Sequence, residues 1–196
     1  MNDTSKSANS IVAQEIDTKW FIIHWRQWHW KTSLAVFLAV ESWPKRIYSN
    51  ISIFKDWEPI GKYIKEVKEI NDIRFSYEPW VVIIDEAGIN YSWRRALSQE
   101  NAIFSEFLFL VRKKNCSLIF ISQRFESIDI NARALAEVIF ECKKIRRGKK
   151  HPLFKITRQK YKRGKLDFMS AYIVDTISLL KFDKIEYDQL QSSKVI

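Results

Sequence analysis

Four short apolar runs limit what this chain can fold into. WFIIH (20–24), VVII (81–84), SLIFIS (117–122) and EVIFE (137–141) are too short for buried helices and rich in Ile, Val and Phe. A continuous β-branched run of this length fits a strand covered on both faces of a parallel sheet. Between the runs the apolar spacing turns helical. Leu34, Phe37 and Leu38 follow Lys31 at helical intervals, and Ile103, Phe107, Leu110 and Val111 share a face of residues 99–114. Arg112, Lys113 and Lys114 close that second segment, where cations suit a helix C-terminus. Further strands are expected at 46–53, 153–158 and 176–182, and a charged helix at 60–70. Strands alternating with helices predict an α/β domain, a mostly parallel sheet flanked by helices.

With 196 residues, 46% of them hydrophobic, one such domain can bury its own core, which excludes a disordered chain. Cys116 and Cys142 lie in or beside apolar runs, and no spacing suggests a zinc site. No apolar stretch nears the roughly 20 residues of a spanning helix, and the polar N-terminus lacks a signal-peptide core, so a cytoplasmic protein is expected. The composition divides the chain into a polar tail (1–18), a core (19–145) and a basic extension packed on or beside it (146–196).

The first run leads through HWRQWHWKTS into the first helix. A phosphate-binding loop between strand and helix reads G-x-x-x-x-G-K-[ST]: backbone N–H groups wrap the phosphates, Lys reaches the β/γ oxygens and the hydroxyl serves Mg²⁺. Here Trp25, Arg26, Gln27, Trp28, His29, Trp30, Lys31 and Thr32 fill that register, with Ser33 helping to start the helix. Every element matches except that each required Gly is Trp. Indoles would occupy the space of the phosphates, and such loops need positive φ.

The chain has 8 Trp and only 4 Gly, whereas an average chain of this length holds roughly 14 Gly. Trp43 before Pro44, Trp57 after Asp56, Trp80 after Pro79 and Trp93 in a polar loop also occupy glycine-like settings. Trp20 is the least diagnostic. These features together suggest that many or all of the eight are glycines in the source cell, encoded by UGA and written here as Trp. The loop would then read GRQGHGKT. A nucleotide-free relative, or genuine tryptophans that pack or stack on bases, are the rival explanations.

VVIIDE places Asp85 and Glu86 at a strand end. In a phosphate-loop enzyme the Asp holds Mg²⁺ and the next Glu polarises the attacking water, whereas a lone DE is an ordinary solvated loop. Gln123, just past SLIFIS, is a candidate γ-phosphate sensor or a plain strand cap. Arg94, Arg95, Arg112, Arg124 and Arg133 are candidate arginine fingers, though surface charge is the simpler role for most.

With glycines restored, the chain resembles the zonula occludens toxin-like P-loop ATPases, which include filamentous phage assembly ATPases. The resemblance rests on the loop ending Lys31-Thr32, RIYSNI (46–51), VVIIDEAG (81–88), RKKN (112–115), IFISQRFESID (119–129) and YIVDT (172–176), and spans most of residues 19–180. It implies a RecA/ASCE-like fold that hydrolyses ATP with Mg²⁺ in a homo-oligomeric ring. Lys31 would bind phosphate, Thr32 and Asp85 would serve the metal, Glu86 would activate water and Gln123 would sense the nucleotide. It further implies phage assembly or DNA export beside inner-membrane or phage assembly proteins, with peripheral attachment at the inner membrane. DNA-packaging and DNA-translocating ATPases share the core and are the nearest competitors.

The stretch from Lys143 to Lys165 holds twelve Lys/Arg and no Asp or Glu, more than the whole net charge of +10. With Phe154 and Tyr161 interleaved it suits DNA phosphates or an anionic membrane surface, and a solvated hairpin is the bland alternative. A non-catalytic single-strand binder, in which real tryptophans stack bases, is the competing class.

Overall fold

The computed structural model describes residues 20–24, 30–42, 46–55, 58–64, 80–87, 108, 116–145, 153–162, 164–175 and 185–187. The strands in chain order are β1 (Trp20–His24), β2 (Ile47–Ser49), β3 (Ile53–Lys55), β4 (Glu58–Pro59), β5 (Lys62–Tyr63), β6 (Trp80–Ile84), β7 (Cys116–Ser122), β8 (Val138–Lys144), β9 (Leu153–Lys162), β10 (Lys165–Asp175) and β11 (Ile185–Tyr187). The α-helices whose bounds fall among the described residues are α1 (Trp30–Ser42) and α2 (Ile130–Leu135).

Eight strands form one sheet in the order β10-β9-β8-β1-β7-β6-β2-β5, and β11-β3-β4 form a second, small one. From β8 to β5 neighbouring strands run parallel; β9 and β10 continue the sheet antiparallel. The continuous apolar character of the central strands has its reason in the two cores. Phe21, Ile23, Val81, Ile83, Ile119 and Ile121 face α1, while Trp20, Ile22, Val82, Ile84, Leu118 and Phe120 face the side of α2. Residues 34–39 of α1 are all buried, as expected of a helix apolar all round, and α1 packs on β1, β6 and β7.

Several sequence expectations shift. The single strand expected at 46–53 is two strands in different sheets, β2 and β3, because the chain bends at Asn50 and Ile51. Where a helix was expected from residue 60, Lys62 and Tyr63 extend beside β2; residues 65–70 lie outside the described residues. Gly61 makes the turn before them at φ +82, where a Cβ would come within 2.6 Å of the Ile47 carbonyl oxygen, so no other residue fits. The hairpin β9–β10 runs to Asp175, longer than the segment 153–158, because Tyr172 and Ile156 pair and bury into the α1-facing core. The strand at 176–182 and most of the helix at 99–114 lie outside the described residues; Leu108 is helical and buried.

Trp80 is the first residue of β6 rather than a turn residue. It is buried in the same core cluster as Trp20 and meets Tyr48 edge-on at 5.4 Å. Trp20 is equally buried, but its indole Nε1 has no hydrogen-bond partner, which costs about 1–3 kcal/mol. Trp25, Trp28, Trp43, Trp57 and Trp93 lie outside the described residues.

Candidate nucleotide site

The register of the parallel strands brings the chemistry to one edge. His24 pairs with Ser122 and Ile84 with Phe120, so β1, β6 and β7 end together. His24, Asp85, Glu86 and Gln123 therefore lie at the C-terminal ends of adjacent strands, and α1 begins at the same edge. In open α/β sheets ligands bind in this crevice.

Lys31 and Thr32 occupy the first turn of α1 and are both buried. Thr32 Oγ1 donates to Asp85 Oδ2 at 2.8 Å, joining residues 53 positions apart. Asp85 Oδ1 accepts the Glu86 N–H at 2.7 Å. Both carboxylate oxygens are thus engaged. Burial pushes the Asp85 carboxyl above its ordinary range, the Thr32 bond works against that rise, and neighbouring Glu86 adds to it. Burial also pushes the Lys31 ammonium down, and the charges of Glu86 and Asp85 oppose that fall.

Beyond Asp85 the chain leaves the strand abruptly. Glu86 has φ +51, the one positive value at a non-glycine among the described residues. Its Oε1 accepts a hydrogen bond from Gln123 Nε2 at 3.1 Å. The sensor and water-activating candidates therefore touch directly across β6 and β7. Lys31, Thr32, Asp85, Glu86 and Gln123 converge, while Arg26, Gln27 and His29 lie outside the described residues and only the backbone of Trp30 is described.

Three features escaped the sequence. Asn50 Oδ1 accepts the Asp85 N–H at 2.7 Å, and Asn50 Nδ2 donates to the Asp85 carbonyl at 2.9 Å. RIYSNI contained Asn50 but gave it no role, since nothing local shows that it faces a residue 35 positions away. His24 caps the first strand with its ring 5.3 Å from Phe125; burial lowers its pKa, with Glu141 and Glu126 opposing. Ser122 Oγ donates to the Arg124 carbonyl at 3.0 Å and accepts the Arg124 N–H at 3.3 Å, turning the chain behind Gln123. Among the finger candidates, Arg124 is exposed, and Arg133 lies with its guanidinium 5.4 Å from the Phe125 ring, held against its own subunit. Arg94, Arg95 and Arg112 lie outside the described residues.

A buried Lys-Thr pair opening a helix, an acidic strand end one strand away, and the order β8-β1-β7-β6-β2 define a P-loop NTPase fold of RecA-like type. The chain belongs to the zonular occludens toxin (Zot) family, whose model matches residues 44–192. The N-terminal domain of zonular occludens toxin from Neisseria meningitidis superposes with a TM-score of 0.56 at 18% identity, covering 86% of this chain and 99% of that one. The genome packaging NTPase B204 from Sulfolobus turreted icosahedral virus 2, in complex with ATP-gammaS, gives 0.54 at 11% identity, covering 79% and 96%. The same NTPase with AMPPCP gives 0.51 at 12% identity, covering 79% and 96%. A search of curated proteins found no match. No helix among the described residues is long and apolar enough to cross a membrane.

Proposed function

We propose that this protein is a Mg²⁺-dependent ATPase that drives phage or virion assembly, or the export or translocation of DNA. The observation that carries the reading is the 2.8 Å bond from Thr32 to Asp85 beside buried Lys31. A buried carboxylate held against a helix start with a buried ammonium next to it suits a metal-bound triphosphate. Lys31 binds the β/γ-phosphates, Glu86 orients the attacking water and Gln123 holds Glu86 or the γ-phosphate. A phosphate-bound Mg²⁺ keeps several waters and needs only one or two protein oxygens. Thr32 and Asp85 would hold Mg²⁺, and the charge of the ion would offset the cost of the desolvated Asp85 carboxylate. Bound there, Mg²⁺ would neutralise phosphate charge.

The reading requires a bare loop at 25–30, and we attribute the tryptophans there to UGA codons decoded as Gly in the source cell. Intact mass of protein from that cell decides this; indoles at 25, 28 and 30 would remove the ATPase reading. The turnover test uses protein with Gly at those positions, which should hydrolyse ATP only with a divalent cation. Absence of hydrolysis at every Mg²⁺ concentration would sink the proposal.

The family and the packaging NTPase neighbours support an assembly role; a homo-oligomeric ring is part of the proposal, with Arg124 its exposed finger candidate. The hairpin β9–β10 is the proposed DNA contact. Lys143 pairs with Lys155 and Lys162 with Lys165 directly across strands, like-charge pairs that a polyanion would relieve. DNA affinity should therefore fall steeply with salt, and a flat salt dependence would exclude phosphate contacts. Peripheral attachment to the inner membrane through assembly proteins completes the reading. DNA packaging is the close variant. If the tryptophans are real, a non-catalytic single-strand binder replaces it.

A further inference from the structure

We infer that Asn50 is a positioning residue that sets the backbone of Asp85 and thereby aims Glu86. The inference rests on the ATPase reading of this site. The β2–β6 ladder pairs Ile47 with Val81, Tyr48 with Val82 and Ser49 with Ile83, and then β2 bends away. At that point the side-chain amide of Asn50 takes over from a strand backbone. Its oxygen accepts from the Asp85 N–H at 2.7 Å and its nitrogen donates to the Asp85 carbonyl at 2.9 Å. Flipping the amide would set donor against donor and acceptor against acceptor, so only one orientation satisfies both groups.

The reciprocal pair matters because the residue after Asp85 is strained. Glu86 sits at φ +51, a left-handed conformation that is unfavourable for a residue with a Cβ. Three contacts oppose that cost: the Glu86 N–H on Asp85 Oδ1, Gln123 on Glu86 Oε1, and the Asn50 clamp on the peptide groups flanking Asp85. Removing the clamp lets the Asp85–Glu86 peptide relax toward negative φ and carries the Glu86 carboxylate away from Gln123. The Asp85 side chain keeps its separate bond to Thr32. Asn50 therefore acts on water activation and leaves nucleotide and metal binding in place.

The test compares Asn50→Ala, Glu86→Gln and the double variant in protein with Gly at positions 25, 28 and 30. Asn50→Ala should lower kcat by about tenfold or more with KM for ATP and the Mg²⁺ midpoint within about threefold. On the Glu86→Gln background it should add less than about twofold, because the group it aims is already gone. A kcat within about twofold of the parent, or an equal loss on both backgrounds, overturns the inference. Asn50→Asp, which keeps the acceptor and loses the donor, is held to the same criteria should the Ala variant not fold. Amide exchange is independent of turnover: Asn50→Ala should speed exchange at Asp85 and Glu86, and unchanged exchange overturns the clamp even if the parent proves inactive. A parent that hydrolyses no ATP counts against the function reading instead.

Discussion

Thr32→Val tests the centre of the site without relying on turnover. The substitution keeps the β-branched shape in the first turn of α1 and deletes one group, the hydroxyl that donates to Asp85 Oδ2 at 2.8 Å. The lost bond has a charged acceptor in a buried place and is worth about 1.5–3 kcal/mol. For a domain of this size each kcal/mol moves Tm by about 2–4 °C, so a fall of about 3–12 °C is expected near neutral pH without Mg²⁺. The pH dependence distinguishes this cause from lost packing. The Asp85 carboxyl already titrates above its ordinary range, and losing Thr32 raises it further, since that bond holds it down. Where Asp85 is protonated in both proteins the missing donor costs little; where it is ionised in both the cost is complete. The difference between variant and parent should therefore grow as pH rises above the usual carboxylate range. A Tm difference that does not change with pH, or one below about 1 °C, would refute the account of the bond.

Lys31→Ala should abolish hydrolysis in the glycine-bearing protein, measured as phosphate release, because it removes the buried ammonium that opens α1 beside Thr32; an unaffected rate removes Lys31 from the site. His24 is held below its ordinary pKa by burial, so the unfolded chain binds the extra proton first and stability should drop as pH falls below about 6.5. His24→Gln should flatten that part of the melting curve, and an unaltered slope assigns the proton elsewhere. Cys142 is buried with its thiol pushed up to about 12, and Cys116 is buried too, so neither should react with a maleimide until the protein is denatured. Rapid labelling of native protein would contradict their placement.

The central sheet was legible because its signal is local. VVII (81–84) and LIFI (118–121) are buried on both faces, so every one of these residues is apolar, and a strand is the simplest explanation. Asp85, Glu86 and Gln123 stood out because they follow such runs, and Lys31 and Thr32 because they open the helix after the first one. The breaks near residues 50 and 61 were not, since a strand pausing at a polar residue looks like one that continues. Asn50 was hidden for a related reason. Its role consists of two bonds to the backbone of a residue in another strand, and backbone leaves no mark on composition. The length of the hairpin was masked because polarity does not follow burial along it: Ile156 and Tyr172 are buried, whereas Lys155 and the apolar Ile173 are both exposed.

The outer strand of the large sheet bears on how the molecule behaves in a test tube. β10 closes the order at one side with Leu166, Phe168, Met169 and Ile173 about half exposed, beside a row of peptide groups that no further described strand covers. Such a rim invites sister molecules to add on, and the lysines along β9 are the main electrostatic brake against it. Concentrated stocks should therefore stay clear at low ionic strength and turn cloudy when salt screens that repulsion.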